Sequence, residues 1–139
     1  MEAKSYLEIN QNKIPTGKAI NFSDLSKNQS ARIDNIPDYP NIDHAFKLNQ
    51  NSKQALLSAP DGFSLKFTTN QPYIQVYIGG ESALLGKDHI QYHKYSGICL
   101  EQQAEPDAPN QENFSDIYLE KGQDKTNFIS IDFEQNTWN

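Results

Sequence analysis

Cysteine, methionine and tryptophan each occur once in 139 residues. With Cys99 alone, no internal disulfide can form, which fits a reducing compartment. Basic side chains are also scarce, 12 Lys and Arg against 18 Asp and Glu, for a formal charge of -6. No basic patch offers a footprint for nucleic acid or an anionic membrane, so neither partner is expected. No apolar run is long enough to span a bilayer. The stretch Met1-Glu2-Ala3-Lys4-Ser5 lacks the apolar segment of a signal peptide, and the expected location is cytoplasmic. Long helix-period segments, internal repeats, linkers and low-complexity tracts are all missing, so residues 1–139 read as one domain with a modest core.

What is present is aromatic and strand-like. Seven Tyr and seven Phe argue for an ordered fold, and abundant Asn and Gln account for its low hydropathy. Alternation predicts strands at Ser5–Asn10, Lys18–Phe22, Asn41–Leu48, Gln54–Ser58, Phe63–Phe67, Tyr73–Ile78, Gly97–Glu101, Asp116–Leu119 and Asn127–Phe133. Lys13–Lys18, Ala59–Gly62 and Lys121–Asp124 carry turn residues. Residues 21–40 and 79–95 read as loops, the first with one helical turn near Ser23-Asp24-Leu25. Many short strands between frequent turns predict an all-β sandwich.

Side chains of a strand alternate between faces. That rule puts Asp43, Gln75 and Glu101 each on the face opposite its strand's apolar set, with Tyr73 and Tyr77 flanking Gln75. Acids, an amide and aromatic rings on one surface suit a polyol, because the polar groups bond hydroxyls and the rings cover C–H faces. The same pattern also describes the polar outer face of an ordinary sandwich, and Glu101 alone describes a solvated acid at a strand end. Spacing does not decide whether the three strands are neighbours.

Four segments carry a family resemblance. Ser96-Gly97-Ile98-Cys99-Leu100-Glu101-Gln102-Gln103, followed by Pro106-Asp107-Ala108-Pro109-Asn110-Gln111, resembles the segment around the catalytic glutamate of the aldose 1-epimerase (galactose mutarotase) family. Thr68–Tyr77 resembles the family strand that reads roughly T-T-x-P-x-x-Q-x-Y. Asn41-Ile42-Asp43-His44-Ala45-Phe46 is similar to its G-x-D-H-x-F segment, with Asn41 in place of Gly. Ile14-Pro15-Thr16-Gly17 is similar to its PTG turn. The glutamate segment is the most specific of the four. The resemblance runs in order over nearly the whole chain and covers the C-terminal half of the family.

The resemblance implies the C-terminal part of a galactose mutarotase-like β-sandwich, a supersandwich. It implies interconversion of the α and β anomers of hexoses such as glucose or galactose, with no metal and no cofactor. Glu101 would take the proton of the sugar's C1 hydroxyl, Asp43 would bind sugar hydroxyls, and Gln75 would lie in the sugar site. The family's acid is a histidine from N-terminal segments of N-H-x-Y-F-N-L character, and none occurs in this sequence. The partners implied are an aldohexose and either an N-terminal half or a second copy of the chain. His44 alternates away from Asp43, toward the core. His89 and His93 lie in the glycine-rich loop before Glu101, and Cys99 reads as a small packing residue. Two alternatives remain beside the enzyme. One is a non-catalytic carbohydrate-binding or interaction domain on the same fold. The other is an epimerase of phosphorylated hexoses, which would need basic residues that this acidic chain has few of.

Overall fold

The structure, a computed structural model, describes residues 3–21, 39–49, 54–80 and 83–135. Strands dominate them: β1 (Ala3–Ile9), β2 (Pro15–Asn21), β3 (Asp43–Leu48), β4 (Gln54–Ser58), β5 (Phe63–Thr69), β6 (Tyr73–Tyr77), β7 (Leu84–Leu85), β8 (Gln91–Tyr92), β9 (Cys99–Gln103) and β10 (Ile129–Gln135). The only helical pieces among the described residues are 3-10 turns at Lys87–His89 and Ala108–Asn110. The fold is all-β, as the alternation predicts. No helix among the described residues is long and apolar enough to cross a membrane.

Two sheets carry the architecture. One has five strands in the order β2-β1-β3-β6-β9, and the other has three in the order β10-β5-β4. Every ladder is antiparallel. Strands β4 and β5 belong to the second sheet, so β3 meets β6 directly, and β6 meets β9 after the β7–β8 ribbon. Tyr6, Phe46, Ile74 and Val76 of the large sheet, with Ile42 just before β3, pack against Ala55 and Phe67 of the small one. The hydroxyl of Thr69 on β5 donates to Gln102 Oε1 on β9 at 2.5 Å, a polar tie between the sheets. A fully buried aromatic such as Phe46 contributes on the order of 3 kcal/mol by leaving water, so this row fixes which face points inward.

The core ends before the small sheet does. Ile129, Ile131 and Phe133 of β10 stand opposite Thr69, Phe67 and Leu65. Directly paired residues share a face, so these three side chains point to the same side as the core residue Phe67. Yet Ile131 is 43% and Phe133 67% exposed. The apolar face of β10 lacks a cover among the described residues.

Several expectations shift. The first turn is Asn10–Ile14, not Lys13–Lys18, because the Asn10 carboxamide accepts the amides of Asn12 and Ile14 at 2.8 and 3.2 Å. Pro15 then opens the edge strand β2, the sheet position that tolerates a residue with no N–H to donate. Glu101 is the third of five residues in β9 and not its end. The presumed loop 79–95 contains the β7–β8 ribbon. Asp116–Leu119 pairs with no strand among the described residues and leaves Tyr118 exposed, because a β-prone run without a partner forms no ladder. The turn expected near Ser23 falls outside the described residues.

Candidate active site

Register makes the site. On the outer face of the large sheet, β3, β6 and β9 lie side by side. Ala45, Gln75 and Glu101 form one row across them, and Asp43, Tyr77 and Cys99 form the next. Sheet spacing puts the outer two strands about 10 Å apart, so the carboxylates of β3 and β9 flank a gap. Ala45, buried and small, lines that gap beside Gln75 and takes up little of it. A cleft of about 470 Å³ results, lined by Asp43, Gln75, Tyr77, Glu101 and Gln103, with Lys13 and Pro15 at one rim and Pro106 at the other.

Gln75 is the hub. Its Nε2 donates to Asp43 Oδ1 at 2.8 Å, and its Oε1 accepts from Gln103 Nε2 at 3.3 Å. The Nζ of Lys13 donates to Asp43 Oδ2 at 3.0 Å. Burial by itself raises the Asp43 pKa. The hydrogen bonds from Lys13 and Gln75, with the charges of Lys13 and His44, outweigh it and leave the carboxyl below its ordinary value. Asp43 is therefore an ionised acceptor with both oxygens anchored. Glu101 is exposed to the cleft.

The loop after β9 closes one side. Asn113 Nδ2 donates to the Gly17 carbonyl at 2.8 Å, and Gln111 Nε2 to the Pro15 carbonyl at 3.3 Å. The Pro-Thr-Gly segment thus receives the tail of the glutamate segment along an open sheet edge. Gly17, at φ 86°, leaves only 2.9 Å between a would-be Cβ and Gln111 Oε1, so a larger residue would be strained at this φ and would displace the Gln111 side chain.

The three predicted residues Asp43, Gln75 and Glu101 all line this cleft, and Tyr77 joins them. Tyr73 does not; it is buried with Leu7 and Ala45, against Phe114. Burial, and then the charge of Glu105, push the Tyr73 hydroxyl up to about 12, so it stays protonated. His44 faces the core, edge-on to Tyr6 with ring centroids 5.4 Å apart. His89 is exposed in its 3-10 turn. His93 lines a second cavity of about 290 Å³ with Cys99, Tyr92 and Ser96, which meets the cleft at Tyr77. Neither is among the residues lining the cleft with Glu101. Among the described residues, no three His, Cys, Asp or Glu side chains group as a metal ion requires.

Two polar lining residues, Gln103 and Lys13, escaped the sequence reading. Gln103 was within reach, because it lies two residues beyond Glu101 and so on the same face. Lys13 was not, because its direction depends on where the first turn closes.

The sequence profile of the aldose 1-epimerase family matches residues 1–132. The chain belongs to the aldose 1-epimerase family. It is similar to the human galactose mutarotase, at 29% identity over 149 aligned positions that span 99% of this chain and 41% of that protein. To the galactose mutarotase of Rattus norvegicus it is 31% identical over 133 positions, 88% of this chain and 39% of that one. An aldose epimerase homologue from C. elegans superimposes with a TM-score of 0.79 at 21% identity, over 99% of this chain and 45% of that one. That likeness establishes the sandwich. The family member described here spans about two-fifths of the length of the curated relatives it matches.

Proposed function

We propose that this chain carries the base side of a sugar mutarotase site, with Glu101 as general base and Asp43 and Gln75 as sugar-binding groups. One observation carries the reading: Glu101 stands in register beside Gln75, whose amide holds Asp43, across an open cleft. A hexopyranose would lie over Gln75, with ring hydroxyls donating to Asp43 and its C1 hydroxyl toward Glu101. Glu101 takes the C1 hydroxyl proton as the bond from C1 to the ring oxygen breaks. An acid on the opposite side gives its proton to that oxygen, and the open aldehyde results. Rotation about C1–C2 and closure on the other face, with both proton transfers reversed, yields the other anomer. Base and acid together avoid a free alkoxide, and each contributes on the order of 10²–10⁴-fold.

The acid comes from a complementary portion of the family domain, in the same chain or in a partner. The uncovered face of β10 and the two-fifths coverage of the relatives support this. The mutarotase relatives support the sugar class, and the lone cysteine fits the reducing compartment of a cytoplasmic location. A second reading, a non-catalytic carbohydrate-binding domain, draws on the fact that the described residues bring no histidine into the cleft.

Polarimetry of α-glucose or α-galactose at fixed pH separates the two. Residues 1–139 alone should barely exceed buffer. Adding the complementary portion of a full-length family member, fused or in trans, should restore mutarotation, and Glu101→Gln should then remove roughly 10²-fold or more. Near-normal rates in that variant would take the base role from Glu101. Full activity of 1–139 alone, abolished by the same substitution, would make His89 or His93 the acid. Sugar binding without any restored turnover would favour the second reading.

A further inference from the structure

We infer that Lys13 is a positioning residue for the Asp43 carboxylate, reaching it from the first turn, on the β1 side of β3. This inference rests on the sugar-site reading above. Asp43 Oδ1 is held by Gln75 on β6 and Oδ2 by Lys13, 30 residues away in sequence. A carboxylate turns easily about its terminal bond. Two donors from two different elements, one on each oxygen, remove that rotation and hold the remaining lone pairs toward the cleft.

The turn is shaped for this reach. Lys13 sits at φ 62°, a left-handed conformation that a lysine seldom adopts. The Asn10 side chain holds it there through the Asn12 and Ile14 amides, and the Lys13 amide donates to the Asn10 carbonyl at 2.9 Å. The Lys13 side chain is 52% exposed and that of Asp43 27%. An ion pair so open to water contributes little to stability, so its effect is on geometry and on the charge state of Asp43. Among the described residues, the other charged or titratable groups around Asp43 are His44 on its own strand and Tyr77 and Glu101 along the cleft.

The test compares wild type with Lys13→Met, which keeps the apolar stem, and Lys13→Arg, which keeps the charge. The first arm titrates the Asp43 carboxyl carbon by NMR in chain 1–139, assigned from its absence in Asp43→Asn. The second measures glucose and galactose affinity with the complementary portion supplied, and thermal melts accompany both. Lys13→Met should raise the Asp43 midpoint and weaken sugar binding about two- to fivefold, the range of a partly exposed ion pair. The melting temperature near neutral pH should fall by no more than the few degrees that the raised midpoint itself entails, and Lys13→Arg should recover most of these effects. An unmoved Asp43 midpoint overturns the contact, whatever the sugar arm gives. A moved midpoint with unchanged sugar affinity overturns the positioning role and leaves the sugar reading standing. A moved midpoint with no sugar bound even by wild type overturns the sugar reading, and the positioning role with it.

Discussion

Replacing Gln75 by Glu tests the hub of the cleft in the chain as it stands. The amide donates to Asp43 Oδ1 at 2.8 Å, and the substitution puts an oxygen where that donor was. Losing a hydrogen bond to a charged acceptor removes about 1.5–3 kcal/mol. Two carboxylates about 4 Å apart repel by about 1 kcal/mol in water and about 4 kcal/mol at the effective dielectric of a protein surface. Asp43 keeps Lys13 and some solvent, so the sum near neutral pH is about 3–5 kcal/mol, much of the stability of a small domain.

The pH dependence fixes the cause. The pair cannot ionise twice without strain, so its upper pKa rises above the ordinary glutamate value of about 4.3. A carboxyl whose folded pKa is raised destabilises only above its unfolded value, and more so as pH climbs through the folded one. Relative to wild type, Gln75→Glu should therefore melt much lower at pH 7.5 and recover at pH 4, where a shared proton replaces the lost N–H. Gln75→Leu loses the donor without adding charge, and its deficit should be nearly flat between pH 5 and 8. Thermal or urea melts at several pH values read both. Equal deficits for Gln75→Glu at pH 4 and 7.5 would refute the reasoning, and wild-type melts for both variants would deny the hydrogen bond.

Two further outcomes follow from the same contacts. In wild type the Asp43 pKa is depressed by Lys13 and Gln75, so its stabilising effect is complete above the unfolded value of about 3.9 and is lost as pH falls through the folded one; acid titration of stability should show a component below pH 4 that Asp43→Asn lacks. The bare face of β10 should make chain 1–139 self-associate; Phe133→Lys, at a position already 67% exposed, should shift sedimentation toward monomer with little change in melting, and a concentration-independent monomer in wild type would contradict this.

The sequence by itself determined the faces. Strand alternation follows from backbone geometry, so Asp43, Gln75 and Glu101 could be assigned to the outer side, and His44 to the inner, from residue order alone. It also determined the family, because the segments around Glu101 and Asp43 keep a recognisable order of residue types. Adjacency was decided only in three dimensions. Residues 54–69 form β4 and β5 and leave for the second sheet, and nothing local to Asp43 or Gln75 tells that β3 and β6 then meet. Asp116–Leu119 shows the same limit from the other side: its residues favour a strand, but a ladder needs a neighbour, and the fold supplies none among the described residues. Lys13 is the plainest case. Sliding the turn from Lys13–Lys18 to Asn10–Ile14 brings one ammonium to Asp43 at the rim of the cleft, and that choice rests on the side chain of Asn10 capping two amides, on a bulge between Leu7 and Ile9, and on the loop that grips Pro15 and Gly17 from nearly a hundred residues away. Such contacts gain their energy only after the chain has brought distant segments together, so no window of neighbouring residues contains them.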